Sequence, residues 1–278
     1  MRNLIVGCGY LGRRVADIWM QHGLHVAALT RSLARGQELS VAGIEPCLGD
    51  VLRPDLLQAL PEAHTVLYAV GYDRQASAGM REVYVAGLRN VLAQVAGRVE
   101  RFLYVSSTSV YGQSQGEWVD EESACVPARE NGRVCLDAEQ VLSEFPQVPS
   151  IVLRSAGLYG PGRLLSRLES LRAGEPLPGN PQAWLNLIHV EDAARAAIAC
   201  GGGPLSRGLY LLCDDRPVRR AEYYASLAAL SGAPPPRYAE AAGEVADLNK
   251  RCSNQKLRRE LGLELRYPSI TEGLPASL

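Results

Sequence analysis

Asn3–Gly12 reads NLIVGCGYLG: an apolar run, a tight glycine turn and the opening of a helix. Leu4, Ile5 and Val6 favour a buried strand, and Val15, Ile18 and Trp19 recur at helical spacing beyond the turn. Between them Gly7, Gly9 and Gly12 form the pattern G-x-G-x-x-G. Each glycine serves a distinct physical purpose, since Gly7 makes the turn, Gly9 lets backbone approach a pyrophosphate, and Gly12 lets the helix pack closely on the strand. The helix start, with Tyr10, Leu11, Gly12 and Arg13, offers unpaired N–H groups and a positive dipole end to phosphates. The pattern therefore predicts a dinucleotide ligand.

The next elements follow the same rhythm. His25–Thr30 (HVAALT) reads as a second strand, whose end meets the adenosine ribose of such a ligand. An acid there would accept hydrogen bonds from the ribose 2′-hydroxyl, but the chain has Thr30, Arg31 and Ser32. Arg13 and Arg35 add positive charge near the same ribose, so the expected cofactor is NADP, with NAD the alternative. The other reading of Arg31 is a solvated loop charge. Ile44–Gly49 is a short strand ending at Asp50 and Val51; Asp50 either reaches the adenine amino group or caps a helix. Thr65–Val70 is a further strand, and its small-residue end, Ala69, Val70 and Gly71, lets a cofactor lie across it. Met80–Val95 is helical, with Val83, Gly87, Val91 and Val95 on one face and Tyr84 and Leu88 beside it. Phe102–Ser106 is another central strand. The alternation predicts an α/β Rossmann fold, a doubly wound parallel sheet with functional residues at the carboxyl ends of its strands.

Composition narrows the function classes. A chain of 278 residues with 47% hydrophobic content can bury a full core. Its net charge of −1 provides no field to attract nucleic acid or an anionic membrane, and no apolar run approaches the length of a membrane span. Seven cysteines are scattered without a C-x-x-C pair, which suggests neither a disulfide framework nor a metal site and fits the cytoplasm.

Three later stretches carry more specific information: SSTSVYG at Ser106–Gly112, LRSAGLYGPG at Leu153–Gly162, and NLIHVEDAA at Asn186–Ala194. Together with the glycine turn and the tail SNQKLRRELGLE at Ser253–Glu264, they make the chain resemble the extended short-chain dehydrogenase/reductase superfamily, its NAD-dependent epimerase/dehydratase group. The resemblance implies a Rossmann domain at 1–163 and 185–213, with a small C-terminal substrate lobe at 164–184 and 214–278. Within that lobe Leu164–Trp184 leaves the strand-helix rhythm, and Ala221–Leu230 is an amphipathic helix before a break at Pro234–Pro236. A Gly201–Gly203 loop precedes a strand at Leu209–Cys213. The resemblance also implies a homodimer, through the helices at Met80–Val95 and Arg133–Leu142.

By the same resemblance Ser107 hydrogen-bonds the reacting oxygen, with Thr108 beside it at the substrate. The family's Tyr-x-x-x-Lys pair falls on the helix ENGRVCLDAEQVL, where Asn131 stands in the tyrosine place and Cys135 in the lysine place. Asn131 is then a substrate contact, because an amide is no proton donor of useful acidity, and Cys135 reads as filler. Tyr84 replaces a family asparagine ahead of Gly87, and Gly157 replaces one that helps bind nucleotide-sugar phosphates. Tyr111, Tyr84 and Tyr72 are the candidate proton donors, each with packing as its other reading. His189 reads as structural, with Glu191 or Asp192 at a helix start. Arg251 is either a substrate contact or a surface charge. The function expected is an NADP-dependent oxidoreductase or epimerase-like enzyme acting on a small carbonyl, hydroxyl or sugar-derived substrate. The alternative is an NADP(H)-binding redox sensor that has lost catalysis.

Overall fold

Apolar strand runs alternating with amphipathic helices commit the first half of the chain to a parallel sheet, because parallel neighbours need a crossover between them. The computed structural model describes residues 1–202, 207–239 and 248–278. In order, β1 (Arg2–Val6), α1 (Tyr10–Gln21), β2 (His25–Thr30), α2 (Leu33–Val41), β3 (Glu45–Leu48) and β4 (Ala63–Tyr68) form the first half-sheet. A π-helical turn, Glu82–Ala86, then runs into α3 (Gly87–Val95), followed by β5 (Val99–Ser107), β6 (Glu117–Val119), α4 (Glu130–Val141) and β7 (Ser150–Ser155). The remainder comprises β8 (Gly157–Tyr159), α5 (Leu165–Arg172), β9 (Trp184–Leu185), β10 (Leu187–His189), α6 (Val190–Gly202) and β11 (Gly208–Leu212). Last come β12 (Val218–Arg219), α7 (Arg220–Ser231), β13 (Lys250–Cys252), α8 (Gln255–Leu261) and α9 (Ile270–Gly273).

Seven strands pair in the order β3-β2-β1-β4-β5-β7-β11, all parallel. The chain order reverses between β1 and β4, and ligands of such sheets bind outside the carboxyl ends of the strands at that switch. Alternation along each strand divides the core. Ile5, Ala28, Leu67 and Leu103 pack toward α1 and α6, whereas Leu4, Val6, Val66 and Phe102 pack toward α3 and α4. A third cluster, off the main sheet, joins Tyr159, Leu168 and Leu177 to Val218, Leu227 and Leu274.

The expected doubly wound sheet is present. Gly201 and Gly202 close helix α6 rather than forming a loop. Gly203, and residues 240–247 of the expected small lobe, lie outside the described residues. Three pairings had no sequence signal: β6 with β13, β8 with β10, and β9 with β12. Among the described residues no helix is long and apolar enough to cross a membrane.

Candidate functional site

At the carboxyl end of β1 the backbone of Gly7 adopts φ +98°, where a side chain is strained. A Cβ there would also lie 2.5 Å from the Ala69 carbonyl carbon, so the ends of β1 and β4 touch through backbone alone. A Cβ on Gly12 would meet the Gly7 carbonyl oxygen at 2.4 Å and Ile5 at 3.1 Å, so α1 packs on β1 only because that atom is missing. Gly9 differs from both. Nothing lies within 4 Å of its Cβ position, and open space faces its backbone.

Two chambers meet over this point. The first, about 270 Å³, is lined by Thr30, Arg31, Arg35, Asp50 and Val51. The second, about 380 Å³, is lined by Tyr10, Leu11, Tyr84, Ser107 and Cys135 among others. Gly9, Ala69, Val70 and Gly71 line both. A dinucleotide lying across that saddle would place one half in each chamber, so the residues present fit such a group.

In the first chamber the local bonds correct two expectations. Arg13 does not line it: its Nε donates to Asp17 Oδ1 at 2.9 Å, one turn along α1. The second cation beside Arg31 is Arg35, whose Nη2 donates to the Cys8 carbonyl at 3.1 Å. Ser32 lies outside the lining because its hydroxyl caps α2, accepting from Arg35 N at 3.3 Å. Asp50 accepts the Leu52 N–H at 2.9 Å and also forms chamber wall, as does Val51, which packs against Gly87.

The second chamber is rich in hydroxyls. Ser107 Oγ accepts the Ser109 N–H at 3.1 Å, which leaves its own proton to donate into the chamber. Ser106 is committed elsewhere, donating to Glu139 at 2.5 Å. Tyr84 enters from the π-helical turn, and its hydroxyl oxygen accepts the Tyr72 N–H at 3.1 Å. Burial raises the Tyr84 pKa, opposed by that hydrogen bond, so the phenol is protonated at neutral pH. Burial likewise pushes the Cys135 thiol up, and a neutral thiol supplies no positive charge.

Several predicted residues fall outside the chamber. Tyr111 is fully buried; its hydroxyl donates to the Asp120 carbonyl at 2.7 Å and accepts from Arg154 at 2.6 Å. It is a packing residue and no proton donor, because a short helical turn at Thr108–Val110 swings it under the site. Thr108 is buried with its hydroxyl against the Cys252 sulfur. Asn131 is exposed in the first turn of α4, one turn short of Cys135, and lines neither chamber. Arg251 donates to the Gly116 carbonyl at 2.8 Å and lies against the rings of Trp118 and Trp184. His189 is buried against Tyr159 and Tyr267, with Nδ1 accepting the Glu191 N–H at 3.3 Å; burial lowers its pKa. Ser155 and Arg163, which no sequence signal singled out, also form the chamber wall. Arg163 directly follows the Gly160–Gly162 turn, one residue beyond the glycine-rich motif that could have pointed to it.

Comparison with known proteins bears on the family and the fold. Residues 3–201 match the model of the NAD dependent epimerase/dehydratase family. Protein YeeZ of Escherichia coli K12 is 29% identical over 275 residues, covering 95% of each chain. A conserved protein of unknown function from Silicibacter pomeroyi is 30% identical, with TM-score 0.81 over 99% of this chain and 97% of that one. The UDP-glucuronic acid 4-epimerase of Bacillus cereus, solved with UDP-glucuronic acid and NAD, shares the fold. Its TM-score is 0.84 at 18% identity, over 100% of this chain and 98% of that one.

Proposed function

Because the chain belongs to the NAD dependent epimerase/dehydratase family, we propose that it is an NADP-dependent oxidoreductase or epimerase-like enzyme for a small carbonyl, hydroxyl or sugar-derived substrate. The observation that carries this reading is the meeting of two chambers over Gly9 and Ala69–Gly71, one lined by arginines and the other by hydroxyls. Arg31 makes no ion pair or hydrogen bond through its side chain among the described residues, which suits it to a 2′-phosphate. When bound, the nicotinamide supplies or accepts a hydride at the reacting carbon.

The chain's own residues handle the oxygen on that carbon. Ser107 holds it by donating a hydrogen bond. Tyr84 gives its phenolic proton to the oxygen in the reductive direction and takes it back in the oxidative one. The Tyr72 N–H on the Tyr84 oxygen offsets part of the burial that raises its pKa and so stabilises the phenolate that results.

Calorimetric titration with NADPH and NADH tests the cofactor half of this reading. NADPH is expected to bind at least tenfold more tightly, and Arg31→Gln to erase that preference. Equal affinity would reassign the cofactor to NAD, and no binding of either would sink the reading. For the chemistry, Tyr84→Phe should lower kcat by about 10²–10⁴ with cofactor affinity unchanged; full turnover by that variant would remove Tyr84 from the scheme.

A further inference from the structure

Among the described residues the second chamber has one charged side chain in its wall, Arg163. The wall of the first chamber carries two acids, Asp50 and Asp73, as well as Arg31 and Arg35. Among the described residues no acid lines the second, and its tyrosines and Cys135 are neutral at pH 7, burial raising their pKa values further. Among the described residues the Arg163 guanidinium has neither an ion pair nor a hydrogen bond, and it lies over the Tyr10 ring, 5.0 Å from centroid to guanidinium carbon. Arg14, which shares that ring at 4.2 Å, is already committed to the carbonyls of Tyr10 and Pro161.

We infer that Arg163 anchors an anionic group of the substrate, a carboxylate or a phosphate monoester, while Ser107 holds the reacting oxygen in the same chamber. The inference rests on reading that chamber as the substrate site. A guanidinium carries its donors in a planar fork that matches two oxygens of either group. A single uncompensated cation in a neutral wall favours an anion and disfavours a cationic ligand. Arg251, the residue expected from sequence to make this contact, is turned to Gly116 and two tryptophans instead. Arg163 is held at the rim by its own turn, its N–H donating to the Gly160 carbonyl at 3.2 Å.

The test titrates wild type and Arg163→Gln, with and without saturating NADP⁺, against four probes. Phenylpyruvate and glucose 6-phosphate carry the two anions, and phenylpyruvate methyl ester and glucose are their neutral counterparts. The expected result is that at least one anionic probe binds wild type, its neutral counterpart binds at least tenfold more weakly, and Arg163→Gln loses at least tenfold in affinity for the anion. Cofactor affinity of the variant should stay within twofold. Equal binding of neutral and anionic probes, undiminished anion binding by Arg163→Gln, or no binding by either anion would overturn the inference. So would a tenfold loss of cofactor affinity in the variant, which would assign Arg163 to the cofactor's own phosphates. Arg163-dependent anion binding in a protein that binds no cofactor would support the anion site and overturn the functional reading alone.

Discussion

Glu139 of α4 and Arg154 of β7 form a buried two-point ion pair, with Arg154 Nε and Nη2 donating to the two carboxylate oxygens at 3.0 and 2.7 Å. Both side chains are under 10% exposed, at 8% and 6%. Ser106 donates to the same carboxylate, and the third Arg154 nitrogen donates to Tyr111. The network thus ties β5, α4 and β7 together one residue before Ser107 along β5.

Removing one member leaves its partner charged and buried without compensation. Glu139→Ala or Arg154→Ala should therefore cost about 3–5 kcal/mol in denaturant unfolding. Tyr111→Phe removes one hydroxyl from the same network and should cost about 1–3 kcal/mol. Cofactor affinity should survive in Tyr111→Phe, because that ring lies outside both chambers. A Tyr111→Phe protein of full stability that had lost turnover would contradict the packing role.

The glycine turn separates scaffold from site within a few residues. Gly12→Ala drives a methyl into the Gly7 carbonyl oxygen at 2.4 Å, a backbone atom that cannot rotate away. Its expected cost is about 1–3 kcal/mol of stability, as for other overpacked positions. Gly9→Ala places its methyl in open space, so the thermal midpoint should hold while NADPH affinity falls at least tenfold. Unchanged affinity in Gly9→Ala would mean that no dinucleotide crosses the saddle.

Local pattern carries the fold and much less of the chamber. Leu4–Val6 and His25–Thr30 are legible as apolar runs buried on both faces of the sheet, and Met80–Val95 because one buried face repeats at helical period. Strand β4 ends at Tyr68, two residues before the Val70 that its apolar run suggests. Ala69 N still bonds the Val6 carbonyl at 2.8 Å, but the chain then bends over Gly7. The pairing of β6 with β13 joins three-residue segments more than 100 residues apart, too short for any period to register. Tyr111 is near Ser107 in sequence, yet one helical turn sends it to the opposite side. Arg163 carries no local signal of its own beside the glycine-rich turn that precedes it. What marks Arg163 is the lack of an ion-pair or hydrogen-bond partner for its guanidinium among the described residues, which is a property of the folded surroundings.

Asp214 gives a pH prediction with a definite sign. Its side chain is buried, neither oxygen has a hydrogen bond of good geometry, and burial, with the nearby Asp192 charge, holds its carboxyl well above the usual carboxylate range. The unfolded chain gives up this proton near pH 4, whereas the folded one retains it to higher pH. Between those two values the folded state binds more protons, so stability falls as pH rises. The contribution is complete below about pH 4 and is lost as pH climbs to the folded value. His189 acts in the other direction, since burial lowers its pKa and protonation at low pH favours the unfolded chain. Asp214→Asn removes the first effect and keeps the second. Its thermal midpoint should therefore lack the decline that wild type shows on going from mildly acidic to neutral pH, while the loss on acidification below about pH 6.5 remains. Parallel wild-type and Asp214→Asn melting curves across pH 4–8 would show that Asp214 ionises in the folded protein as freely as in the unfolded one.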